Sequence, residues 1–191
     1  METLIQILAR ELGQKESYIQ NVVTLIDEGN TIPFIARYRK EMTGSCDDQV
    51  LRALSDRLTY LRNLEKRKEE VSSAIGEQGK LTDEIKAALE KAVTLTEVED
   101  IYRPYKQKRK TRASVAVAKG LQPLADAILA QDKALDVRRE AEKYITEEVK
   151  TADEAIAGAQ DIIAEIISDD AATRKKIRNF FFNHGEIASS Y

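Results

Sequence analysis

Leu51, Leu54, Leu58, Leu61 and Leu64 recur three or four residues apart, and the stripe continues through Val71 to Ile75. Apolar residues at that spacing line one face of a helix, where a strand would need strict alternation. A helix this long must cover its stripe, so the chain has to supply other helices to pack on it. The rest of the pattern agrees. Valines, isoleucines and threonines sit singly between helix formers, and three prolines and eight glycines leave few breaks in 191 residues. The expected fold is all-α, a multi-helix orthogonal bundle with no sheet. With 42% hydrophobic residues the chain can bury one good core or two small ones. One compact helical region is expected. Arg52, Asp56, Arg57, Arg62, Glu65 and Lys68 stand between the leucines with mixed signs, as on a solvated face with pairs four residues apart. The stripe itself fits a core or, alternatively, the seam of a homodimer.

Other helices read off in order. Leu4, Ile5, Leu8 and Leu12 predict a first one ending at Gly13. A second, capped by Ser17, carries Tyr18, Ile19, Val22, Val23 and Ile26 as far as Gly29, which can take the left-handed conformation that ends a helix. Asp47 or Asp48 starts the long helix, and Gly76 and Gly79 end it. Thr82 and Thr96 then cap two more, so residues 67–112 read as a helix-turn-helix-like sub-unit. Its middle helix, with Asp83, Glu84, Lys86, Glu90 and Lys91, has no cationic excess with which to read a groove. Thr111 or Ser114 caps a small-residue helix suited to close packing, and Pro123 opens the next. Residues 131–150 read as a helical scaffold. Thr151 and Glu154 form a capping box for the helix holding Ile156, Ala159 and Ile162, and Ser168 caps the last. On that last helix Arg174, Lys175, Lys176 and Arg178 read as a solvated face. Phe180, Phe181 and Phe182 cannot all face one core, so at least one is expected to meet another segment, or residues beyond Tyr191.

Two stretches concentrate positive charge beside aromatic rings. In GNTIPFIARYRKEMTG, Thr31 and Pro33 start a helix, Ile32, Phe34 and Ile35 supply an apolar anchor, and Arg37, Arg39 and Lys40 follow, with Tyr38 on the face of Ile35. In EVEDIYRPYKQKRKTRAS, Pro104 breaks the helix, and Lys106, Lys108, Arg109, Lys110 and Arg112 follow beside Tyr102 and Tyr105. Guanidinium groups bind phosphate oxygens bidentately, and aromatic rings stack on bases, so either stretch can contact nucleic acid without reading its sequence. Each also admits a plainer reading. The first can be an amphipathic helix whose arginines pair with acids, and the second a solvated loop whose cations answer Glu97, Glu99 and Asp100.

Several classes of chemistry are excluded. One histidine, His184, and one cysteine, Cys46, supply no zinc set, no Cys-His nucleophile and no internal disulfide. Glycine-rich phosphate loops and GxSxG elbows are missing, and Asp47–Asp48 and Asp169–Asp170 fall where helix caps are expected. No catalytic residue, metal, cofactor or small-molecule substrate is therefore expected. The apolar window Ile162 to Ile167 is broken by Glu165 and falls far short of the roughly 20 residues a membrane span needs. A cytoplasmic location is expected from the lone cysteine and the lack of a cleavable apolar leader. The formal net charge of -3 and pI of about 5.5 confine any nucleic-acid surface to a local patch.

Those two stretches, with DEAIAGAQDIIAEIISDDAATRKKIR, resemble the Tex family of bacterial transcription accessory proteins in order and spacing. The resemblance runs from about residue 25 to 180. It implies that residues 1–191 are the N-terminal helical region of a longer protein that continues into ribonuclease H-like, helix-hairpin-helix and OB-fold RNA-binding parts. The function it implies is a non-catalytic nucleic-acid-binding and scaffolding module of a transcription accessory protein, weak and sequence-nonspecific, with RNA or DNA as partner. Lys106, Lys108, Arg109, Lys110 and Arg112 with Tyr105 would be the main contact, and Arg37, Arg39 and Lys40 a second. The alternative is a purely structural module that docks those further domains or a transcription-machinery protein.

Overall fold

The computed structural model describes residues 3–106 and 110–189. Among them lie eleven α-helices and no strand. The expected all-α fold is observed, and it divides into two compact units, Met1–Ala74 and Ile75–Tyr191.

The first unit contains α1 (Leu4–Leu12), α2 (Glu16–Asp27), α3 (Ile32–Tyr38) and most of α4 (Asp48–Glu77). Thr3 opens α1 with a full capping box: its hydroxyl accepts from the Gln6 amide, and the Gln6 side chain accepts from the Thr3 amide. Asp47 starts α4 by accepting from the Val50 amide at 2.8 Å. α2 begins at Glu16, one residue before the Ser17 expected to cap it, and its N-cap is Lys15 with no side-chain bond. The leucine stripe of α4 is the floor of the core: Leu51 and Leu54 are fully buried and pack with Leu8, Ile19, Val22 and Ile35. Short-range pairs such as Arg52–Asp48 occur on α4 as expected. Two of its arginines do something longer-ranged. Arg57 grips Glu11 of α1 with two bonds of 2.7 and 2.8 Å, and Arg62 grips Asp27 of α2 in the same way at 2.7 and 2.8 Å. Such bidentate pairs hold orientation as well as charge.

The second unit holds α5 (Asp83–Lys91), α6 (Leu95–Tyr102), α7 (Arg112–Ala118), α8 (Gln122–Leu129), α9 (Val137–Ala141), α10 (Ala152–Asp169) and α11 (Ala171–His184). α10 is its axis. Ala155, Ala159 and Ile162 of α10 pack with Ala113, Ala116, Leu121, Leu124 and Ala141 from α7 to α9. Gly158 lets α7 come close: a Cβ there would lie 2.4 Å from Leu121 Cδ1 and 3.3 Å from the Ala116 methyl. The small residues of α7 serve the close packing read from sequence.

Three local expectations change. α6 is capped by Thr94, not Thr96, because its hydroxyl accepts from the Glu97 amide at 3.2 Å. α11 is capped by Asp170, not Ser168; the carboxylate accepts from the Thr173 amide at 2.6 Å, and α10 runs through Ser168 to Asp169. Residues 131–150 hold only α9 and one short 3-10 turn, Glu142–Tyr144. There the side chains of Asp132, Asp136 and Thr146 take nearby backbone amides, offering the chain local bonds in place of a helical ladder.

α11 is attached in an unusual way, since none of its residues is buried. It is held through Asp100 of α6, only 4% exposed, which receives Arg174 Nε on one oxygen at 2.6 Å and Arg178 Nη2 on the other. Lys175 pairs with Glu97 at 2.8 Å. Burial pushes the Asp100 carboxyl up, but its bonds and charge attraction to Arg174 and Arg178 prevail and hold it below the usual carboxylate value.

Two predictions follow from this packing. Leu54→Ala should cost about 2–5 kcal/mol by removing a fully buried side chain; urea unfolding measures it, and an unchanged midpoint would contradict the assigned core. Because the folded-state pKa of Asp100 is depressed, the stability it contributes is complete above its unfolded value of about 3.9 and is lost as pH falls through the lower folded value. Glu97 shares the sign. Thermal unfolding between pH 7 and pH 2 should therefore show Tm falling more steeply below about pH 4 in the wild type than in Asp100→Asn.

Candidate nucleic-acid interface

α3 is anchored on one side and open on the other. Ile35 is fully buried, with Ile32 and Ala36 partly buried beside it, whereas Phe34, Arg37 and Tyr38 face solvent. Tyr38 was expected to share the buried face of Ile35. It is 60% exposed instead, because it ends the helix and pairs with Phe34 one turn back, ring centroids 5.2 Å apart. Pro33 lies in the first turn as read from sequence, and Thr31 is the N-cap, though its hydroxyl makes no capping bond.

The helix stops at Tyr38, so Arg39 and Lys40 lie in the loop that follows. That loop is built, not loose. The Arg39 carbonyl accepts from the Met42 and Thr43 amides, and the Lys40 carbonyl accepts from the Ser45 amide at 2.9 Å and the Thr43 hydroxyl at 3.2 Å. Asn21 of α2 donates to the Met42 carbonyl at 2.8 Å, and Thr43 is fully buried. Gly44 closes the loop with φ 63°, and the Tyr18 ring occupies the space a Cβ would need, at 2.4 Å. Both observations explain a glycine there. Cys46 sits at the end of the loop as a core residue, its thiol pushed up by burial and then by Asp47.

Three cations stand on this frame. The Arg39 guanidinium lies over the Phe34 ring, 5.4 Å from its centroid, and donates to the Tyr38 carbonyl at 3.4 Å. Among the described residues no acidic side chain pairs with Arg37, Arg39 or Lys40, and all three are exposed. The expectation that acids neutralise these arginines is not met.

The second stretch is treated differently by the fold. Tyr102 ends α6, and a 3-10 turn, Arg103–Tyr105, carries Pro104 as its sequence required. Tyr105 is half-buried, and its carbonyl accepts from Gln78 at 2.9 Å. Lys106 is partnered: it binds Glu99 at 2.5 Å and lies 5.4 Å from the Tyr102 centroid. Lys108 and Arg109 lie outside the described residues. Lys110 is exposed, and Arg112, the first residue of α7, reaches Asp161 of α10 at 3.4 Å while its side chain stays 88% exposed. Lys110, Arg112, Lys119 and Lys150 line an open groove of about 670 Å³, shared with Glu148, Glu154 and Asp161.

Of the three acids expected to answer these cations, Glu99 is the one that does so among the described residues; Glu97 and Asp100 bind α11. The Asp100 cluster was not read from sequence. The only signal for it was the spacing of Arg174 and Arg178, four apart on one helix face. The two cationic patches belong to different compact units. Among the described residues no group of three or more His, Cys, Asp or Glu side chains is set to hold a metal ion, and no helix is long and apolar enough to cross a membrane.

Fold and patches together describe an all-α module whose cations are gathered locally on an acidic chain. Known proteins place it further. The Tex-like protein N-terminal domain matches residues 2–76, and the Tex central region-like family matches residues 132–191. "Uncharacterized protein YdcI" of Bacillus subtilis is 51% identical over 195 residues, covering 100% of the chain and 27% of the relative. "Transcriptional accessory protein Tex" of Neisseria gonorrhoeae is 45% identical over 184 residues, 96% of the chain and 24% of the relative. "S1 RNA-binding domain-containing protein 1" of Pongo abelii is 33% identical over 192 residues, 98% of the chain and 19% of the relative. This chain belongs to the Tex family. It spans about a quarter of the length of the first two of these relatives.

The loop after α3 makes a direct prediction. Gly44→Ala forces a side chain into a left-handed conformation, at about 1–2 kcal/mol, and into the Tyr18 ring. Chemical unfolding should show a loss of at least about 1 kcal/mol; wild-type stability in this variant would mean that Gly44 does not set the loop.

Proposed function

We propose that this chain is a non-catalytic module of a cytoplasmic transcription-associated protein, making weak, sequence-nonspecific contact with nucleic acid while serving as a scaffold. The observation that carries this reading is the α3 patch: three exposed cations that have no acidic partner among the described residues, Arg37 on α3 and Arg39 and Lys40 on the ordered loop after it, beside the exposed rings of Phe34 and Tyr38. Such cations can meet phosphates, and Tyr38, open to solvent, can stack on a base. Lys110 and Arg112 form a second, weaker contact, because Arg112 shares its charge with Asp161 and the groove beside them also holds Glu148 and Glu154. Order of importance thus favours α3 over Lys106, Lys110 and Arg112. The names of two relatives, a transcriptional accessory protein and an S1 RNA-binding domain-containing protein, support a nucleic-acid-related role.

A second reading has its own observation. Ile177, Phe180, Phe181 and Phe182 of α11 are 52%, 62%, 66% and 89% exposed, an apolar surface of a kind that marks an interface. On that reading the chain docks the remaining domains of a longer polypeptide or a transcription-machinery protein.

Fluorescence anisotropy with single-stranded RNA and with duplex DNA, over a salt series, separates the two. Three phosphate contacts predict log–log slopes of about -2 for single strands and about -2.7 for duplex. The variant Arg37→Ala/Arg39→Ala/Lys40→Ala should flatten both slopes, and neutralising Lys106, Lys110 and Arg112 should change them less. Absence of binding at low salt, or a triple variant that binds like the wild type, overturns the α3 assignment.

A further inference from the structure

Most helices of the second unit are held by apolar burial: Leu89 of α5, Val98 of α6, Ala116 of α7, Leu124 of α8, Ala141 of α9 and Ala159 of α10 are each at most 4% exposed. α11 has no such residue. Only Ala171, Thr173, Arg174 and Arg178 are even half-buried along its fourteen residues. Two of these four are the arginines that share Asp100, and the long apolar side chains, Ile177 and Phe180 to Phe182, point into solvent.

We propose that α11 is an ionic latch, held on α6 by the pairs Arg174–Asp100, Arg178–Asp100 and Lys175–Glu97, and able to detach as a unit while the rest of the second unit stays folded. Four features support it. Arg174 and Arg178 are one helical turn apart and take opposite oxygens of the same carboxylate, so both can be engaged without distorting the helix. Asp100 is nearly buried, which leaves those two pairs little exposed on the carboxylate side, whereas Lys175 is 60% exposed and open to counterions. Beneath the start of α11, Ala88, Ala92 and Ile101 border a cleft of about 220 Å³ facing Ala171 and Ala172, so the seam is not closed by apolar packing. The connection to α10 is a single residue, Asp170, which is at once the C-cap of α10 and the N-cap of α11, in extended conformation at φ -67° and ψ 117°. One residue of extended backbone can serve as a hinge while its carboxylate keeps the first turn of α11 formed.

The proposal goes beyond either functional reading. It gives the apolar end of α11 a position that depends on charge, so that ionic conditions or a competing anion would reorient that surface.

Hydrogen exchange of the whole chain, followed by mass spectrometry at constant pH, tests it. Asp100→Asn should speed exchange of peptides from 172–184 by tenfold or more and leave those from α7 and α10 unchanged. Raising salt from 0.05 to 1 M shortens the screening length to about 3 Å and should speed the same peptides in the wild type, with a smaller effect in Asp100→Asn. Glu97→Lys should loosen α11, and adding Lys175→Glu should restore it, a rescue that needs no change at the buried carboxylate. α11 exchange at the wild-type rate in Asp100→Asn, acceleration spread equally over α7 and α10, or failure of the swapped pair to restore protection would each overturn the latch.

Discussion

Two long helices carry apolar stripes too wide to leave in water, and most of the remaining elements are placed by the need to cover them. α1 to α3 close over Leu51, Leu54 and Leu58 of α4, and α7 to α9 close over Ala155, Ala159 and Ile162 of α10. A fully buried leucine contributes about 1.5–3 kcal/mol. The first unit meets the entropy of ordering its loops with a few such residues. The second uses smaller ones, and gains from approach what it lacks in area: without Gly158, α7 would be held off α10 by a side chain. Close approach raises the number of dispersion contacts per residue.

Once the cores are set, charged side chains meet three different fates. Some pair along their own helix, as Arg52 does with Asp48, and such exposed pairs contribute at most about 1 kcal/mol. Others join elements, as Arg57 and Arg62 do in the first unit and Arg174 and Arg178 do in the second. A third group, Arg37 at the end of α3 with Arg39 and Lys40 on the ordered loop after it, is left without acids among the described residues. Mechanical roles belong to the second group, and recognition is available to the third. The acidic total of the chain does not oppose this, because fields of exposed charges fade over a screening length of about 8 Å at physiological salt.

Much of the fold was legible because it rests on short-range periodicity. The stripe of α4, the stop at Gly29, the caps at Thr82 and Thr151 and the break at Pro104 all depend on residues within one or two turns. Errors arose where two neighbouring residues could do the same job. Thr94 and Thr96 are both competent caps, as are Ser168 and Asp170; α6 begins at Leu95 and α10 runs on to Asp169, which puts Thr94 and Asp170 at the caps. Residues 131–150 carry helix formers, but Asp132, Asp136 and Thr146 captured backbone amides first.

The candidate site was half legible. Both cationic stretches stand out in the sequence as runs of like charge beside tyrosines, and the composition of each run needs no structure to be seen. Which cations would be neutralised depended on acids distant along the chain: Asp161 for Arg112, or Asp100 for Arg178, 78 residues away. By itself, then, the sequence determined the all-α class, the long helices and the local pools of charge, because helix propensity and periodicity act between near neighbours. Tertiary structure alone decided which arginines became fasteners and which stayed open, because ion pairing depends on distance in space and on burial, and neither is written in the spacing of residues.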